Sequence, residues 1–272
     1  MEEASSINAI LEPSAPVFPL ETARGAAQRP QGAGFLGLVM LDTRFPRPVG
    51  DLGNPKSYPV PTRRAVVPGA FPDKVVQSAA GLREAHLLVP FIHAVRQLEK
   101  DGARAVTTSC GFLVLLQREL QAAVAVPVVT SSLLLLPRLL AREPQVGVLT
   151  ISAARLGRAH LRGAGVPSAR LADVLVQGVD PHGSFARTIL GNQTTLDVPL
   201  AQADVVAAAQ ALKRRAPTLR SVVLECTNMP PYAHAIAAAT GLKPLSLLDC
   251  SELFAPFSSS TPAAQARCTC IL

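Results

Sequence analysis

"AVTTSCGFL", residues Ala105 to Leu113, places a cysteine where an apolar run ends and a segment of helical character begins. A second stretch, "SVVLECTNM", Ser221 to Met229, repeats this arrangement with its cysteine 116 residues further along the chain. Short apolar runs followed by helical periodicity are typical of strands that lead into helices. Two of the five cysteines, Cys110 and Cys226, therefore occupy the same kind of strand-to-helix junction.

Strands and helices alternate outward from both stretches. In the first half the sequence predicts strands at 35–41, 103–109 and 126–132, helices at 82–102 and 111–124, a further helix that ends near Arg142, and a Pro- and Gly-rich loop at 41–64. In the second half it predicts strands at 145–151, 172–178, 219–225 and 243–249, and helices at 153–165, 201–216 and 230–241, the first of them capped by Ser152. Both halves follow one order: strand, long insert, helix, strand ending in cysteine, helix, strand.

This repeat predicts an α/β fold of two similar lobes, each with a parallel sheet, related by pseudo-symmetry. We expect the lobes at 35–142 and 143–256, with the last helix able to return to the first lobe. A flexible leader is expected at 1–34 and a flexible tail at 257–272, because both are rich in small, polar and proline residues. Ligands of open parallel sheets bind beyond the carboxyl ends of the strands. The cleft between the lobes is therefore the predicted active site.

Composition narrows the classes of partner. The formal net charge is +7 and the pI is about 9.6, but the basic residues are scattered, which predicts no nucleic-acid partner and a mild attraction for small anions. Five cysteines without disulfide-like spacing indicate a reducing compartment. We see neither a secretion signal nor an apolar run long enough for a membrane span. We therefore expect an intracellular protein, cytoplasmic or plastid, without a membrane partner, and we expect a homo-oligomer.

The predicted strand ends bring polar groups together with the two thiols. Residues at these carboxyl ends are Asp42, Thr43, Cys110, Thr150, Ser152 and Cys226. We expect the four that are not cysteines to bind the substrate. Each cysteine precedes a predicted helix, whose dipole favours a thiolate and would lower its pKa. Free N–H groups at helix starts can hold a carboxylate, and the neighbouring side chains of Thr108, Ser109, Thr227 and Asn228 add hydrogen-bond donors.

Two thiols on opposite faces of one carbon form a base and an acid. Removal of a proton next to a carboxylate needs a well-placed base and stabilisation of the enolate. The arrangement supports racemisation, or elimination when a leaving group lies on the next carbon. The alternative is that both cysteines are inert packing. Cys250 is expected in the core, and Cys268 and Cys270 are expected to be exposed thiols. No cofactor and no metal site are predicted, and the expected substrate is a small carboxylate.

The stretches "LDTRFPRPVGDLGNP", "TTSCGFL" and "LECTNMPPYA" resemble the aspartate/glutamate racemase superfamily over roughly residues 35 to 255. Members of that superfamily are cofactor-independent enzymes with two α/β lobes and one catalytic cysteine from each. The resemblance implies that Cys110 and Cys226 are the base/acid pair. It also implies that the carboxylate is held by Thr108, Ser109, Gly111, Thr227 and Asn228.

Within the superfamily the chain departs from ordinary glutamate racemases, which show Cys-Asn-Thr in the first lobe and Cys-Thr-His in the second. The long loop and "CTNMPPY" look more like the algal (Alma-type) dimethylsulfoniopropionate lyases. This resemblance implies a lyase that releases dimethyl sulfide and acrylate, with Tyr58 and Tyr232 as candidates for cation–π contact with the sulfonium. The alternatives are an amino-acid (aspartate/glutamate-like) or hydantoin racemase and an inactive paralogue.

Overall fold

A computed structural model of the chain describes residues 34–258. Its strands are β1 (Phe35–Leu41), β2 (Thr62–Val67), β3 (Ala103–Thr108), β4 (Val128–Val129), β5 (Val146–Thr150), β6 (Val174–Gly178), β7 (Ser221–Leu224) and β8 (Lys243–Leu245). Its α-helices are α1 (Pro72–Val75), α2 (Ala79–Glu84), α3 (Leu88–Lys100), α4 (Gln117–Ala122), α5 (Leu136–Leu140), α6 (Arg158–Gly163), α7 (Ser184–Leu190), α8 (Val198–Arg215), α9 (Ala233–Thr240) and α10 (Ser251–Phe254). Single-turn and two-turn 3₁₀ helices connect several of them.

The strands form two parallel sheets with the same internal order. The first sheet has the order β2-β1-β3-β4 and the second the order β6-β5-β7-β8, and every described strand pair is parallel. The strands β1, β5 and β7 are buried along their whole length, as is typical of parallel strands covered by helices on both faces. The predicted fold class, two similar parallel-sheet α/β lobes, is confirmed.

Each half of the chain supplies one complete sheet. The strands of the first sheet lie within residues 35–129 and those of the second within residues 146–245. The short helix α10, near the end of the described chain, packs against β3 and β4 of the first sheet. Most of the leader predicted at 1–34 and of the tail predicted at 257–272 falls outside the described residues, as do the thiols Cys268 and Cys270. Phe257, at the start of the predicted tail, ends a short 3₁₀ helix. Cys250 is buried, as predicted for a core residue.

Several details differ from the sequence prediction. The strands predicted at 126–132 and 243–249 are shorter, the helix predicted at 111–124 begins as a 3₁₀ helix, and α7 was not predicted. The loop predicted at 41–64 runs into an edge strand, β2, whose two arginines and exposed positions hide it from a search for apolar runs. The helix predicted at 82–102 is divided into α2 and α3 at His86, which has a positive φ of 51°. The helix predicted after Ser152 begins only at Arg158, with Gly157 as its N-cap. The prediction of Ser152 as a helix cap is therefore wrong, because the carbonyl of Ser152 instead accepts hydrogen bonds in a turn, from the N–H groups of residues 155 and 156.

Both cysteines lie just beyond the carboxyl ends of equivalent strands. Cys110 follows β3 at the start of the 3₁₀ helix Gly111–Leu116, and Cys226 follows β7 after one intervening residue. The strands β3 and β7 occupy the same position in the order of their sheets. The sequence repeat thus places the two thiols at matching points of the two lobes.

Candidate active site

A small cavity of about 20 Å³ lies where the two lobes meet. Its polar lining comes from Ser109, Cys110, Gly111, Glu225, Cys226, Thr227 and Asn228, and its apolar lining from Leu41, Phe45, Pro72, Val76, Phe112, Ile151 and Ile189. The first lobe contributes Cys110 and the second contributes Cys226. The structure therefore brings the two predicted thiols to one cavity with four of the nine predicted substrate-binding residues, Ser109, Gly111, Thr227 and Asn228.

The Cys110 thiol is 6% exposed and faces backbone donors of the helix that follows it. The N–H groups of Phe112 and Leu113 act to lower its pKa. Burial acts more strongly in the opposite direction, and the nearby Glu225 carboxyl also raises the pKa, so that the net result is a pKa raised to about 12. Cys110 is therefore a neutral thiol at pH 7.

The Cys226 thiol is oriented by an amide and a carboxylate. Its sulfur lies 3.5 Å from Oδ1 of Asn228, to which the thiol donates. The amide nitrogen of Asn228 donates to Oδ2 of Asp51 at 2.6 Å, which fixes the direction of the amide group. Burial, together with the Glu225 carboxyl, raises the pKa of Cys226 well above its ordinary value. An amide oxygen that accepts from the thiol favours the neutral form further.

The long loop after β1 anchors this arrangement. Asp51 is 1% exposed; its Oδ1 accepts from Arg47 at 2.7 Å and from the N–H of Gly53 at 2.7 Å. The N–H of Leu52 donates to the carbonyl of Thr227 at 3.0 Å. The loop belongs to the first half of the chain, yet it is hydrogen-bonded to Thr227 and Asn228, the two residues that follow Cys226. It therefore holds the second thiol in place from across the cleft.

Glu225 is a buried carboxyl in the cavity wall. It is 1% exposed, and its Oε2 accepts from the hydroxyl of Thr150 at 2.7 Å. Its Oε1 has no hydrogen-bond partner among the described residues. Burial raises the pKa of Glu225 to about 8, and the bond from Thr150 opposes that shift only in part. The carboxyl is therefore mainly protonated at pH 7.

These surroundings correct one expectation. The helix starts were expected to lower the pKa of both cysteines, and instead both are raised. The segment after Cys110 is a 3₁₀ helix of six residues, and the one near Cys226 has three. Such short helices have little dipole, whereas both thiols are almost completely removed from water. Desolvation therefore outweighs the N–H groups.

The other predicted substrate-binding residues lie outside the cavity lining. Asp42 accepts from the N–H of Gly69, and Thr43 accepts from Arg47. Thr108 donates to the carbonyl of residue 130 and accepts from the N–H of Cys110. Thr150 supports Glu225, and Ser152 lies in the turn after β5. These side chains shape the strand ends and the loops around the cavity.

The two tyrosines also lie behind the cavity wall. The hydroxyl of Tyr58 donates to the carbonyl of Leu52 at 2.7 Å. Tyr232 is buried and packs edge-on against Phe185 with ring centroids 6.1 Å apart. The aromatic residues that line the cavity are Phe45 and Phe112. The tyrosines therefore support the surrounding structure, and Phe45 and Phe112 are better placed to contact a ligand.

Sequence inspection missed Asp51, Arg47 and Glu225 as parts of this site. Glu225 had a signal: it is the one charged residue in the stretch "SVVLECTNM". An acidic residue at the end of a buried strand is uncommon, and it indicates a specific role for the carboxyl. Asp51 and Arg47 lie in a long loop whose path cannot be derived from local patterns.

No group of three or more His, Cys, Asp or Glu side chains suited to hold a metal occurs in residues 34–258. Over the same range no helix is both long enough and apolar enough to cross a membrane.

Two parallel-sheet α/β lobes that each present a cysteine to one cavity define a paired-thiol class of α/β protein. The chain belongs to the Asp/Glu/Hydantoin racemase family, whose model matches residues 64–254. The suspected superfamily is thereby confirmed.

Curated relatives include named lyases. A protein named dimethylsulfoniopropionate lyase from Durusdinium sp. clade D is 29% identical over 226 residues, which cover 80% of this chain and 73% of that protein. Dimethylsulfoniopropionate lyase 3 from Emiliania huxleyi (strain CCMP1516) is 28% identical over 236 residues, which cover 79% of this chain. The chain spans 57% of the length of that second relative.

Solved structures agree with the fold. Glutamate racemase from Francisella tularensis, in complex with D-glutamate, has a TM-score of 0.51 at 14% identity and covers 83% of this chain and 81% of its own. Allantoin racemase from Pseudomonas fluorescens has a TM-score of 0.52 at 16% identity and covers 81% of this chain and 89% of its own. At these identities the likeness concerns the fold alone.

Proposed function

We propose that this protein is a carbon–sulfur lyase that cleaves dimethylsulfoniopropionate to dimethyl sulfide and acrylate without a cofactor. One observation carries the proposal: Cys110 and Cys226 line a single cavity whose lining contains both polar residues and apolar residues. The names of the curated relatives agree with this chemistry. The substrate has the same mixed character, with a carboxylate at one end and a dimethylsulfonium group at the other.

In the proposed reaction Cys110 is the base. Its thiolate removes a proton from the carbon next to the carboxylate, and the electron pair of that C–H bond forms the C=C bond of acrylate. The C–S bond breaks, and its electron pair leaves with dimethyl sulfide, which neutralises the sulfonium. The Cys110 thiol then returns its proton to solvent. We assign the base to Cys110 because two N–H groups face its sulfur, whereas the Cys226 thiol donates to Asn228.

The carboxylate end of the substrate is placed against the polar wall. Ser109, Thr227 and Asn228 come from both lobes, and they are joined by a hydrogen bond from the Thr227 hydroxyl to the Ser109 carbonyl at 2.6 Å. The sulfonium end is placed against the apolar wall that contains Phe45 and Phe112. A dimethylsulfonium is a weakly hydrated cation, which aromatic faces attract. The ring of Phe45 is itself held by the Arg47 guanidinium, 4.6 Å from its centroid.

A racemase acting on a small carboxylate is the second candidate. It is favoured by the second thiol, since inversion requires a proton donor on the face opposite to the base and elimination does not. The apolar wall argues against an amino acid as its substrate, because an α-ammonium group requires polar partners.

The proposal is tested by headspace gas chromatography of the purified protein with dimethylsulfoniopropionate, in the presence of EDTA. We expect release of dimethyl sulfide together with an equal amount of acrylate. Cys110→Ser should lower the rate by about 10²–10⁴-fold, as is typical for loss of a general base. Cys250→Ser is the matched control, because Cys250 is also a buried thiol but lies outside the cavity, and its rate should equal that of the parent.

Parallel reactions in heavy water separate the two candidates. A lyase releases dimethyl sulfide. A racemase exchanges the α-proton of a chiral carboxylate for deuterium and inverts the α-carbon without breaking another bond. A protein that releases no sulfide but racemises a chiral acid would overturn the lyase proposal. Equal sulfide release by the parent and by Cys110→Ser would remove Cys110 from the mechanism.

A further inference from the structure

The Glu225 carboxyl has one oxygen that the protein itself does not use. Its Oε2 accepts from Thr150 at 2.7 Å, and the Thr150 hydroxyl in turn accepts from the N–H of Ser152 at 3.3 Å. The hydrogen of that hydroxyl is therefore directed to Glu225. The other oxygen, Oε1, is buried without a partner in the described part of the chain. A buried polar atom without a partner is costly in a folded protein, and such an atom in a cavity wall indicates a ligand.

The first lobe leaves space for the Glu225 carboxyl because it has a glycine, Gly111, at the point of contact. A Cβ atom added to Gly111 would lie 2.4 Å from Oε1 of Glu225 and 2.2 Å from its backbone carbonyl oxygen. Only glycine therefore allows the chain after Cys110 to lie against Glu225. As a result, the carboxyl lies beside the cavity and close enough to both thiols to influence their pKa values.

A neutral carboxyl is the form that suits this position. A charged Glu225 would oppose a thiolate at Cys110 or Cys226 and would repel the carboxylate of a substrate. A protonated Glu225 accepts from Thr150 at Oε2, so its hydrogen resides on Oε1, the atom that lacks a partner. Burial already favours that form.

We propose that Glu225 is a further catalytic residue, a neutral carboxylic acid whose Oε1 hydrogen is donated to the substrate carboxylate and stabilises the enolate. The inference rests on the proposed function, because it assigns a donor for that reaction. The proton stays on Glu225 throughout, so no covalent step is added. A donor aimed at developing negative charge in a dry site is among the strongest contributions to catalysis.

The first test compares Glu225→Gln with Glu225→Leu. Glutamine keeps the size and a hydrogen-bond donor, so its rate should stay within about tenfold of the parent, whereas leucine lacks the donor and should lower kcat by about 10²–10³-fold. Glu143→Gln is the matched control. Glu143 also has one carboxylate oxygen without a partner among the described residues, but it lies outside the lining of this cavity, and this change should leave the rate unaltered.

The second readout is the pH profile, which a purely structural role would not move. The parent should lose activity as the pH rises through about 8, because Glu225 then ionises. Glu225→Gln should lack that loss. The titratable groups beside Glu225 in the cavity are Cys110 and Cys226, whose deprotonation would raise activity with pH and cannot imitate the loss.

Binding of acrylate, followed by calorimetry, separates failure of this inference from failure of the proposed function. We expect the parent to bind acrylate more weakly above pH 8 than below it. Glu225→Gln should bind acrylate equally on both sides of pH 8. This pattern would support the role of Glu225 even if no dimethyl sulfide were released. If the parent releases sulfide, but Glu225→Leu folds and retains its kcat and its acrylate affinity, the assignment of Glu225 is overturned and the lyase stands.

Discussion

The ionisable side chains around the cavity are all held in their neutral forms. Burial raises the pKa of Cys110 to about 12 and that of Glu225 to about 8, and raises that of Cys226 as well. A buried cavity lining whose own ionisable groups, Cys110, Cys226 and Glu225, are neutral lets single hydrogen bonds to a bound anion act strongly. In the proposed reaction the base is generated during the catalytic cycle, when the sulfonium of the proposed substrate brings a positive charge next to the thiol.

Glu225 makes a measurable contribution to the pH dependence of stability. Its pKa is about 8 in the folded protein and about 4.5 in its ordinary state, so the folded state binds the proton more tightly. This contribution is fully present below pH 4.5 and is lost as the pH rises through 8. We expect the free energy of unfolding of the parent to fall relative to Glu225→Gln over that range by several kcal/mol, at about 1.4 kcal/mol per pKa unit.

Urea unfolding of both proteins at pH 5 and pH 8.5 measures this difference. If the free energies of unfolding of parent and variant differed by the same amount at both pH values, Glu225 would be ionised in the folded protein at neutral pH.

At the scale of elements, the start of the 3₁₀ helix Gly111–Leu116 packs tightly against the residue that follows β7. Gly111→Ala would place a methyl group against the carbonyl of Glu225, so the two lobes must shift at the thiols. We expect a loss of about 1–3 kcal/mol in the free energy of unfolding and a larger loss of turnover, because reacting groups tolerate little displacement. Gly157→Ala, where a Cβ meets nothing within 4 Å, should change stability by less than about 1 kcal/mol.

Thermal unfolding and sulfide release measured on the same preparations check this pair. If Gly111→Ala behaved like Gly157→Ala in both assays, the lobes would not be in contact at this point.

The long loop after β1 depends on its buried ion pair. The side chains of Arg47 and Asp51 are 10% and 2% exposed, and Asp51 also holds Asn228. Asp51→Asn should lower the free energy of unfolding by about 3 kcal/mol, since it leaves a buried guanidinium without its partner. Asp173→Asn removes one partner of the Arg170–Asp173 pair, whose side chains are 34% and 33% exposed, and should cost less than about 1 kcal/mol. Equal effects of the two substitutions on urea unfolding would contradict this view of the loop.

Local patterns predicted the elements that are buried on all sides and missed those that depend on distant contacts. The strand β1 was predicted at its observed bounds because all seven of its residues are apolar or glycine. The edge strand β2 is half exposed and contains two arginines, so it lacks an apolar run. The break at His86 and the late start of α6 are set by tertiary packing, which propensity does not report.

The residues of the candidate site also fall into those that local sequence predicted and those that it missed. The thiols were predicted because their two junctions resemble each other in sequence. Asp51 reaches Asn228 across 177 residues of chain, and Glu225 acquires its surroundings from Gly111 of the other lobe. Contacts of that kind exist only in the folded molecule, so no window of sequence contains them.

For the whole molecule, the size of the cavity implies motion. A volume of about 20 Å³ holds about one water molecule, and dimethylsulfoniopropionate is several times larger. For this proposed substrate to enter, the lobes or the loop around Asp51 must part. The hydrogen bond from Leu52 to Thr227 and the one from Asn228 to Asp51 are the contacts that would open.

Thiol labelling tests this opening. Burial raises the pKa of both Cys110 and Cys250 to about 12, but Cys250 lines a cavity of about 500 Å³, whereas Cys110 lines one of about 20 Å³. We expect iodoacetamide to modify Cys250 faster than Cys110, and both rates to rise about tenfold per pH unit between pH 7 and 10 because only the thiolate reacts. Mass spectrometry of the separate peptides measures the rates. Equal rates at the two sites would show that the cavity is open in solution.

The division of the strands between the two halves of the chain has a consequence for protein engineering. Each sheet draws its four strands from one continuous stretch, so the chain can be severed near residue 143 without cutting any strand. The second fragment would still contain α10, which packs against β3 and β4 of the first and would help the fragments to reassociate. Each fragment would carry one of the two thiols, so neither alone would turn over substrate. Fused to two interacting proteins, the fragments would form a split reporter whose signal is a volatile product.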